Sequence, residues 1–354
     1  LAERSILFLF LGDATRDRRV QNFARYFKEQ GWNAEVIAVQ PSIPRGPRKF
    51  LEYHRRIRNA VRDKKADVVM ACDLYSLSAA AWMKRTGRAT LLLYDARELY
   101  TELPSVAHKP LAKYVWRTLE RRGLIETDLI IVTAPNDANA ILRVHSFLPK
   151  PVLVRNLPWR ESEIIPDRML LASLGIPTDA KTVVYLGGVQ QGRGLEKLIE
   201  AMNGSLYHLL LIGDGSLRSK LEVHASSTIH FAGSMTSDEA LRVVAACDVG
   251  ISLVEPISPS YELALPSKFF EYMMCGIPIV SSRVLQVLDL FRNEAWVTFV
   301  DESNADDIKA GIQKAVTVSE RSELREREKE LAMKEYHFEH DARSLSAALN
   351  TLFG

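Results

Sequence analysis

Lys268 and Glu271 lie three residues apart, with Pro266 ahead of them and Gly276-Ile277-Pro278 behind. Pro266 fixes φ, Ser267 is placed to cap a first turn, and Gly276 with Pro278 stops the helix between them. Residues three apart share one helix face, here at the positive N-terminal end. An ammonium beside a helix start suits an anion such as a phosphate. A carboxylate one turn later suits sugar hydroxyls, which need strong acceptors. The competing reading is a solvated i,i+3 ion pair on an amphipathic helix.

Two further stretches bear on that choice. Leu186-Gly187-Gly188-Val189-Gln190-Gln191-Gly192-Arg193-Gly194 runs from an apolar segment into a glycine-rich turn. Glycines let backbone N–H groups approach a diphosphate, and an arginine in the turn can clamp a phosphate through two hydrogen bonds. The alternative is a tight turn with a solvent-facing arginine. The spacing is neither G-x-G-x-x-G nor G-x-x-x-x-G-K-[ST], so no nicotinamide or P-loop fingerprint is present. Gly213-Asp214-Gly215-Ser216 forms a second flexible corner after the apolar run 209–212. Ligands of open α/β sheets bind at this edge. Three corners, around Gly187, Gly213 and Pro266, are expected to converge there. Arg193 and Lys268 would then face a diphosphate and Glu271 a ribose.

The elements that position these residues read as two alternating β/α series. Apolar runs predict strands over 5–11, 34–39, 67–71, 90–94, 129–133 and 152–154. Helical periodicity appears over 20–30, 50–62, 76–84, 111–125 and 136–145. A second series has strands over 182–186, 208–212, 229–231, 249–253, 277–281 and 296–300. Its helices run over 195–202, 217–225, 237–246 and 305–316. The segment 156–180 reads mainly as a connection with a short helix over 168–174. Charged and amphipathic helices follow over 320–335 and 338–353. The chain has 354 residues, enough for two ordinary α/β domains. Two Rossmann-like domains in tandem are expected to face each other across a ligand-binding cleft.

Composition narrows the function classes. The chain is 47% hydrophobic and 25% charged, with a net charge of +2, which argues against nucleic acid as a partner. Its apolar runs are too short to span a bilayer. The opening LAERS does not read as a secretory leader. Cys72, Cys247 and Cys275 form no C-x-x-C pair, so neither a zinc site nor a disulfide framework is expected. The histidines form no metal spacing. These features point to a reducing cytoplasm. The charge distribution is uneven: residues 45–65 carry nine Lys or Arg against Glu52 and Asp63, and 109–122 place Tyr114 and Trp116 among bases. Such helices either dock on anionic lipid at a membrane surface or simply face solvent.

The series YLGGVQQGRGLEKLIEA, LLLIGDGSL, IHFAGSMTSDEALRVVAACDVGISL and SYELALPSKFFEYMMCGIPIV resembles the donor domain of GT-B glycosyltransferases, in particular family four. The first half resembles a bacterial subgroup of that family. Asp17-Arg18-Arg19-Val20 is similar to its D-x-R-V, and YDARELYTE over 94–102 to its D-x-H-E-x-x-x-E. The likeness implies a retaining, metal-independent transferase with no cofactor. The donor would be a nucleotide diphosphate sugar, UDP before GDP, and the acceptor a glycan or lipid-linked sugar. It implies an acceptor domain over 1–155, a donor domain over 156–335, and a helix over 336–354 returning to the first domain. By resemblance the donor meets Gly187, Gly188, Arg193, Gly213, Asp214, Gly215, Met235, Tyr261, Leu265, Lys268 and Glu271, with Arg193 and Lys268 stabilising the leaving group. Asp95 and Glu98 are expected catalytic groups of the acceptor side, with Asp13, Asp73 and Arg97 beside them; helix capping is the other role open to these residues. The pattern departs at Leu263, where a glutamate is usual (Glu262 is adjacent), and at Cys72 and Arg97, where histidines are usual. A catalytically silent relative that binds nucleotide or glycan is therefore a second reading. A GT-B epimerase is disfavoured by the same missing histidines. A dehydrogenase is disfavoured by the lack of a glycine fingerprint after the first strand.

Overall fold

The computed structural model describes residues 4–43, 47–161 and 163–354, which form two compact units. The first runs to Asn156 and includes Phe338–Gly354; the second is Leu157–His337. Arg45, counted above in the basic stretch, lies outside the described residues.

Six strands build the first sheet: β1 (Ser5–Leu11), β2 (Asn33–Val39), β3 (Ala66–Ala71), β4 (Ala89–Ala96), β5 (Leu129–Val132) and β6 (Val152–Leu153). All pair in parallel, in the order β2-β1-β3-β4-β5-β6. The central strands are buried on both faces, which explains their unbroken apolar runs. The chain passes from β1 to β2 on one side and then to β3 on the other. The sheet therefore reverses direction between β1 and β3.

The second sheet has β7 (Thr182–Leu186), β8 (His208–Ile212), β9 (Ile229–Gly233), β10 (Val249–Ser252), β11 (Ile279–Ser282) and β12 (Val297–Val300). Its order is β12-β11-β10-β7-β8-β9, again parallel, with the reversal between β7 and β10. The segment after Asn156 is more than a connection. Leu157, Leu171 and Ile176 are buried in the second core, beneath the helix Ser237–Ala245. Two short helices escape the sequence pattern, Pro259–Glu262 and Leu285–Phe291.

The helix Phe338–Phe353 packs on the first unit. Phe338 meets Phe23 edge-on at 5.1 Å, and Asp341 accepts from the Arg155 guanidinium at 2.7 and 2.8 Å. Trp116, read above as facing either lipid or solvent, turns inward. Its ring lies 4.9 Å from Phe50 and 5.3 Å from Tyr75. All three cysteines are buried and unbridged.

Candidate functional site

The helix Ser267–Cys275 is buried along its length from Lys268 to Cys275. Its cap differs from expectation. Pro266 is the N-cap residue, and no side chain closes the first turn, so Ser267 is the first helical residue rather than the cap. Gly276 ends the helix in the left-handed region, as its position suggests. Phe269 stacks on Phe291 at 4.8 Å and Phe270 on Tyr336 at 5.4 Å, which fixes the helix to the core. Tyr272 ties it to the sheet: the Leu186 N–H donates to its hydroxyl at 2.9 Å, and the hydroxyl donates to Ile251 O at 3.0 Å. That bond pair joins the ends of β7 and β10, where the second sheet reverses.

Lys268 and Glu271 do not form a solvated surface pair. Each is only 8% exposed, and among the described residues the Lys268 ammonium has no hydrogen-bond partner. Its Nζ lies 3.7 Å from the centroid of the Tyr185 ring. Burial pushes this ammonium well below the usual lysine range; the Arg193 charge adds to the shift and Glu271 opposes it. A desolvated cation held only by a ring face is costly, because a buried charge needs a partner. An anion entering beside it would supply one.

The glycine corners frame that position. Gly187 follows β7 so closely to Lys268 that a Cβ there would sit 3.3 Å from Nζ. The Tyr185 hydroxyl donates to Gly188 O at 2.8 Å, so one tyrosine supports both the turn and the ammonium. Gly213, after β8, has φ +133°, and a Cβ would lie 2.0 Å from Gly187 O; no other residue fits. Gly192, with φ +82°, packs against Tyr261 and Ile257, which brings the loop after β10 onto the turn. The Arg193 guanidinium stacks 4.7 Å from the Tyr261 ring.

Some of the backbone donors of these corners are spent within the fold and others are not. The N–H groups of Gly187 and Val189 are spent on Ile212 O and Asp214 O, and that of Gly213 on Gly233 O. Gly215 N–H turns back to the Asp214 carboxylate at 2.8 Å. Among the described residues, no acceptor is taken by the N–H groups of Gly188, Gly192, Arg193 and Gly194. The last three of these open the helix Leu195–Met202 at its N-terminus. Ser258, in the loop that carries Tyr261, also buries a hydroxyl with no partner among the described residues. Met235 and Leu265 are partly buried against the same core, and Glu262 is exposed.

The first unit places its expected residues at the C-terminal edge of its sheet, mostly in supporting roles. Asp13 caps the turn Ala14–Arg16 by accepting from Thr15 N. Asp73 caps the helix Leu74–Arg85 and also accepts from Leu11 N at 2.8 Å, bridging β1 and β3 where that sheet reverses. Asp95 is wholly buried, and both its oxygens accept from Arg19, at 2.6 and 2.7 Å. Neither oxygen is open to an acceptor, and it caps no helix. Arg97 is paired with Asp17 at 2.8 Å, which raises its already high pKa, while Asp17 caps the helix Arg18–Glu29. The D-x-R-V stretch and residues 95–97 are thus cross-linked by two ion pairs, Arg19 to Asp95 and Asp17 to Arg97. Arg19 also donates to the carbonyls of Val154 and Arg155. Cys72 is fully buried, and burial raises its thiol pKa well above the ordinary range. Glu98 is exposed at the same sheet edge. Sequence reasoning missed Tyr185, Arg19 and Asp17 as site-building residues. The aromatic Tyr185 in an apolar strand carries no local signal, whereas D-x-R-V pairs with D-x-R at matching spacing and could have revealed the cross-link.

Comparison with known proteins decides the family. Residues 8–156 match the glycosyl transferase 4-like domain, and residues 168–335 match glycosyl transferases group 1. The chain belongs to the GT-B glycosyltransferases. The lipopolysaccharide core biosynthesis glycosyltransferase LpsE of Rhizobium meliloti is 24% identical over 89% of this chain and 85% of its own length. An uncharacterized glycosyltransferase of Methanocaldococcus jannaschii is 27% identical over 46% of this chain, and the D-rhamnosyltransferase WbpZ of Pseudomonas aeruginosa is 24% identical over 48%. The chain spans only 41% and 45% of the length of those two relatives. Among solved structures, sucrose-phosphate synthase from Thermosynechococcus elongatus superposes with a TM-score of 0.78 at 18% identity, covering 99% of each chain. HepE of Anabaena, in complex with UDP and glucose, gives 0.70 at 16% identity over 99% of this chain and 100% of that one. Both share the GT-B fold. Among the described residues, no helix is long and apolar enough to cross a membrane, and no cluster of three His, Cys, Asp or Glu could hold a metal.

Proposed function

We propose that the chain transfers a sugar from a nucleotide diphosphate sugar to a glycan or lipid-linked acceptor, with retention of anomeric configuration, without a metal, at the cytoplasmic face of a membrane. The observation that carries this reading is the buried, unpartnered Lys268 ammonium at the point where the second sheet reverses. A diphosphate placed between Lys268, Arg193 and the N–H groups of Gly192–Gly194 would meet two cations and a helix start. These groups oppose the charge that develops on the leaving diphosphate, which is how a preorganised site lowers a barrier. Glu271, one turn along the same helix, would accept from ribose hydroxyls. Met235 is the residue we assign to the base, and Tyr261 with Leu265 those we assign to the sugar-phosphate. Uracil is the base we assign, and the UDP in the HepE complex supports that choice.

In the first unit, Glu98 is the exposed carboxylate we assign to the acceptor side, with Asp13 nearby at the same edge. Asp95 and Arg97 act by holding that edge in place. Two observations favour a silent, nucleotide-binding role as a second reading: the Cys72 thiol is buried, and the Arg97 guanidinium is committed to Asp17. Incubation with UDP-sugars and a lipid-linked acceptor, in EDTA, tests the proposal. Proton NMR of the product should show the anomeric configuration of the donor. An inverted product or a strict metal requirement would overturn the mechanism. Nucleotide binding with no product from any donor would favour the silent reading.

A further inference from the structure

Asp137 buries a carboxyl at the C-terminal edge of the first sheet. It stands in the first turn of the helix Pro135–Val144, just after β5, and is only 7% exposed. An acid in a first turn commonly caps the helix or meets its dipole. This one caps nothing: among the described residues its carboxylate takes no backbone N–H, and no cation pairs with it. Arg97, the nearest cation along the edge, is committed to Asp17. Asp137 Oδ2 accepts from the Thr133 hydroxyl at 2.8 Å. Its Oδ1 takes no hydrogen bond among the described residues and is not sealed from solvent. Burial pushes this carboxyl up to about 6; the Thr133 hydroxyl opposes the shift and the like charge of Glu98 adds to it.

The register of β4 and β5 places this group beside the acceptor edge. Asp95 pairs with Ile131 and Ala96 with Val132, so Arg97 and Thr133 leave the sheet side by side. The Thr133 hydroxyl lies 3.4 Å from Arg97 O, and Glu98 follows on the same segment. A hydroxyl has one hydrogen to give and can accept as well. With Asp137 ionised, that hydrogen goes to Oδ2. With Asp137 protonated, the carboxyl donates to Thr133 Oγ1, whose hydrogen turns to Arg97 O. Both states are satisfied without moving the backbone, as a group that gains and loses a proton requires. We propose that Asp137 is the base of the transfer, its Oδ1 accepting from the attacking acceptor hydroxyl and taking that proton. The acceptor oxygen bonds the anomeric carbon, the bond from that carbon to the diphosphate breaks with its electron pair going to the diphosphate, and the proton passes through Asp137 to water. This role rests on the sugar transfer proposed for the chain.

The test is the pH profile of acceptor-dependent UDP release by the full chain, with the UDP-sugar and lipid-linked acceptor that the wild type turns over fastest. A base must be ionised to act, so the wild-type rate should climb with pH through about 6 and then level. Asp137→Asn should lower the plateau by about 10²-fold and abolish the climb. Its UDP binding by isothermal titration and its circular dichroism spectrum should stay those of a folded, donor-binding chain. Two further variants keep the carboxyl and move its titration. Thr133→Val removes the donor that favours the charged form, so the climb should shift to higher pH; Glu98→Gln removes the like charge, so it should shift to lower pH. A packing role for Asp137 gives neither shift. A wild-type plateau and climb in Asp137→Asn, or a climb unmoved in either of the other variants, would overturn the base while leaving transfer standing. No UDP release by the wild type from any donor would instead remove the transfer itself, and the base with it.

Discussion

Replacing Lys268 with methionine separates stability from function. The change keeps length and apolar volume but removes the charge. In the free protein the ammonium is desolvated, has no hydrogen-bond partner among the described residues, and rests 3.7 Å from the Tyr185 ring centroid. An unpaired buried polar group costs about 1–3 kcal/mol, and a charge more. The ring contact returns about 0.5–2 kcal/mol. Lys268→Met should therefore stabilise the free protein by about 1 kcal/mol, a rise in Tm of about 2–4 °C for a domain of 150–250 residues. The gain depends on pH. The folded-state pKa lies below that of the unfolded chain, so between the two values the unfolded chain holds the extra proton and wild-type stability rises with pH. The full penalty is present below that window, and methionine abolishes the rise. Affinity for the nucleotide diphosphate should move the other way, weakening by about 2–5 kcal/mol, or at least about 30-fold. Scanning calorimetry and isothermal titration with UDP measure both quantities. A bound diphosphate restores the lysine's charge, so wild-type binding within the window should take up a proton, seen as a buffer-dependent enthalpy. A variant that is less stable and binds UDP normally would refute the reasoning, because Lys268 would then be a packing residue.

Three other outcomes follow from the same geometry. Asp95→Asn breaks a buried pair in which both oxygens accept from Arg19, and should cost about 3–5 kcal/mol in urea unfolding while leaving UDP binding to the second unit intact. Glu328 is fully buried with neither oxygen hydrogen-bonded among the described residues, and burial raises its pKa well above the ordinary glutamate range. Its folded pKa exceeds the unfolded one, so wild-type stability falls as pH climbs between them; Glu328→Gln should flatten that fall in melting curves taken across the range. Tyr185→Phe keeps the ring under Lys268 but loses the hydrogen bond to Gly188 O, whereas Tyr185→Leu loses both. The first should weaken UDP binding by less than about tenfold, in line with a net hydrogen bond of about 1 kcal/mol, and the second by clearly more.

The sheets were readable because their strands are buried on both faces and so appear as unbroken apolar runs, as in β1 and β7. The helix Pro259–Glu262 was not readable, because its four residues are too few to show a period. Glycine spacing pointed to the donor corners, but it could not say which N–H groups remain free. That depends on where neighbouring strands end: Ile212 O and Asp214 O take the donors of Gly187 and Val189, while among the described residues those of Gly188 and Gly192–Gly194 take no acceptor. Burial inverted the plain reading of Lys268. A lysine three residues before a glutamate suggests a surface pair, and only packing shows the ammonium to be enclosed and unsatisfied. On the acceptor side, carboxylates at strand ends are ambiguous between capping and chemistry. Asp13 and Asp73 cap helical turns, and Asp95 is consumed by an arginine distant in sequence.

The most direct test of the central claim is nucleotide release from a panel of UDP- and GDP-sugars by the purified protein in EDTA, with and without a lipid-linked acceptor. The account predicts release of UDP above the protein-free rate, faster with acceptor, and lower by about 10²-fold or more in Lys268→Met and Arg193→Ala. Equal rates in wild type and both variants, or tight UDP binding with no release from any donor, would contradict it.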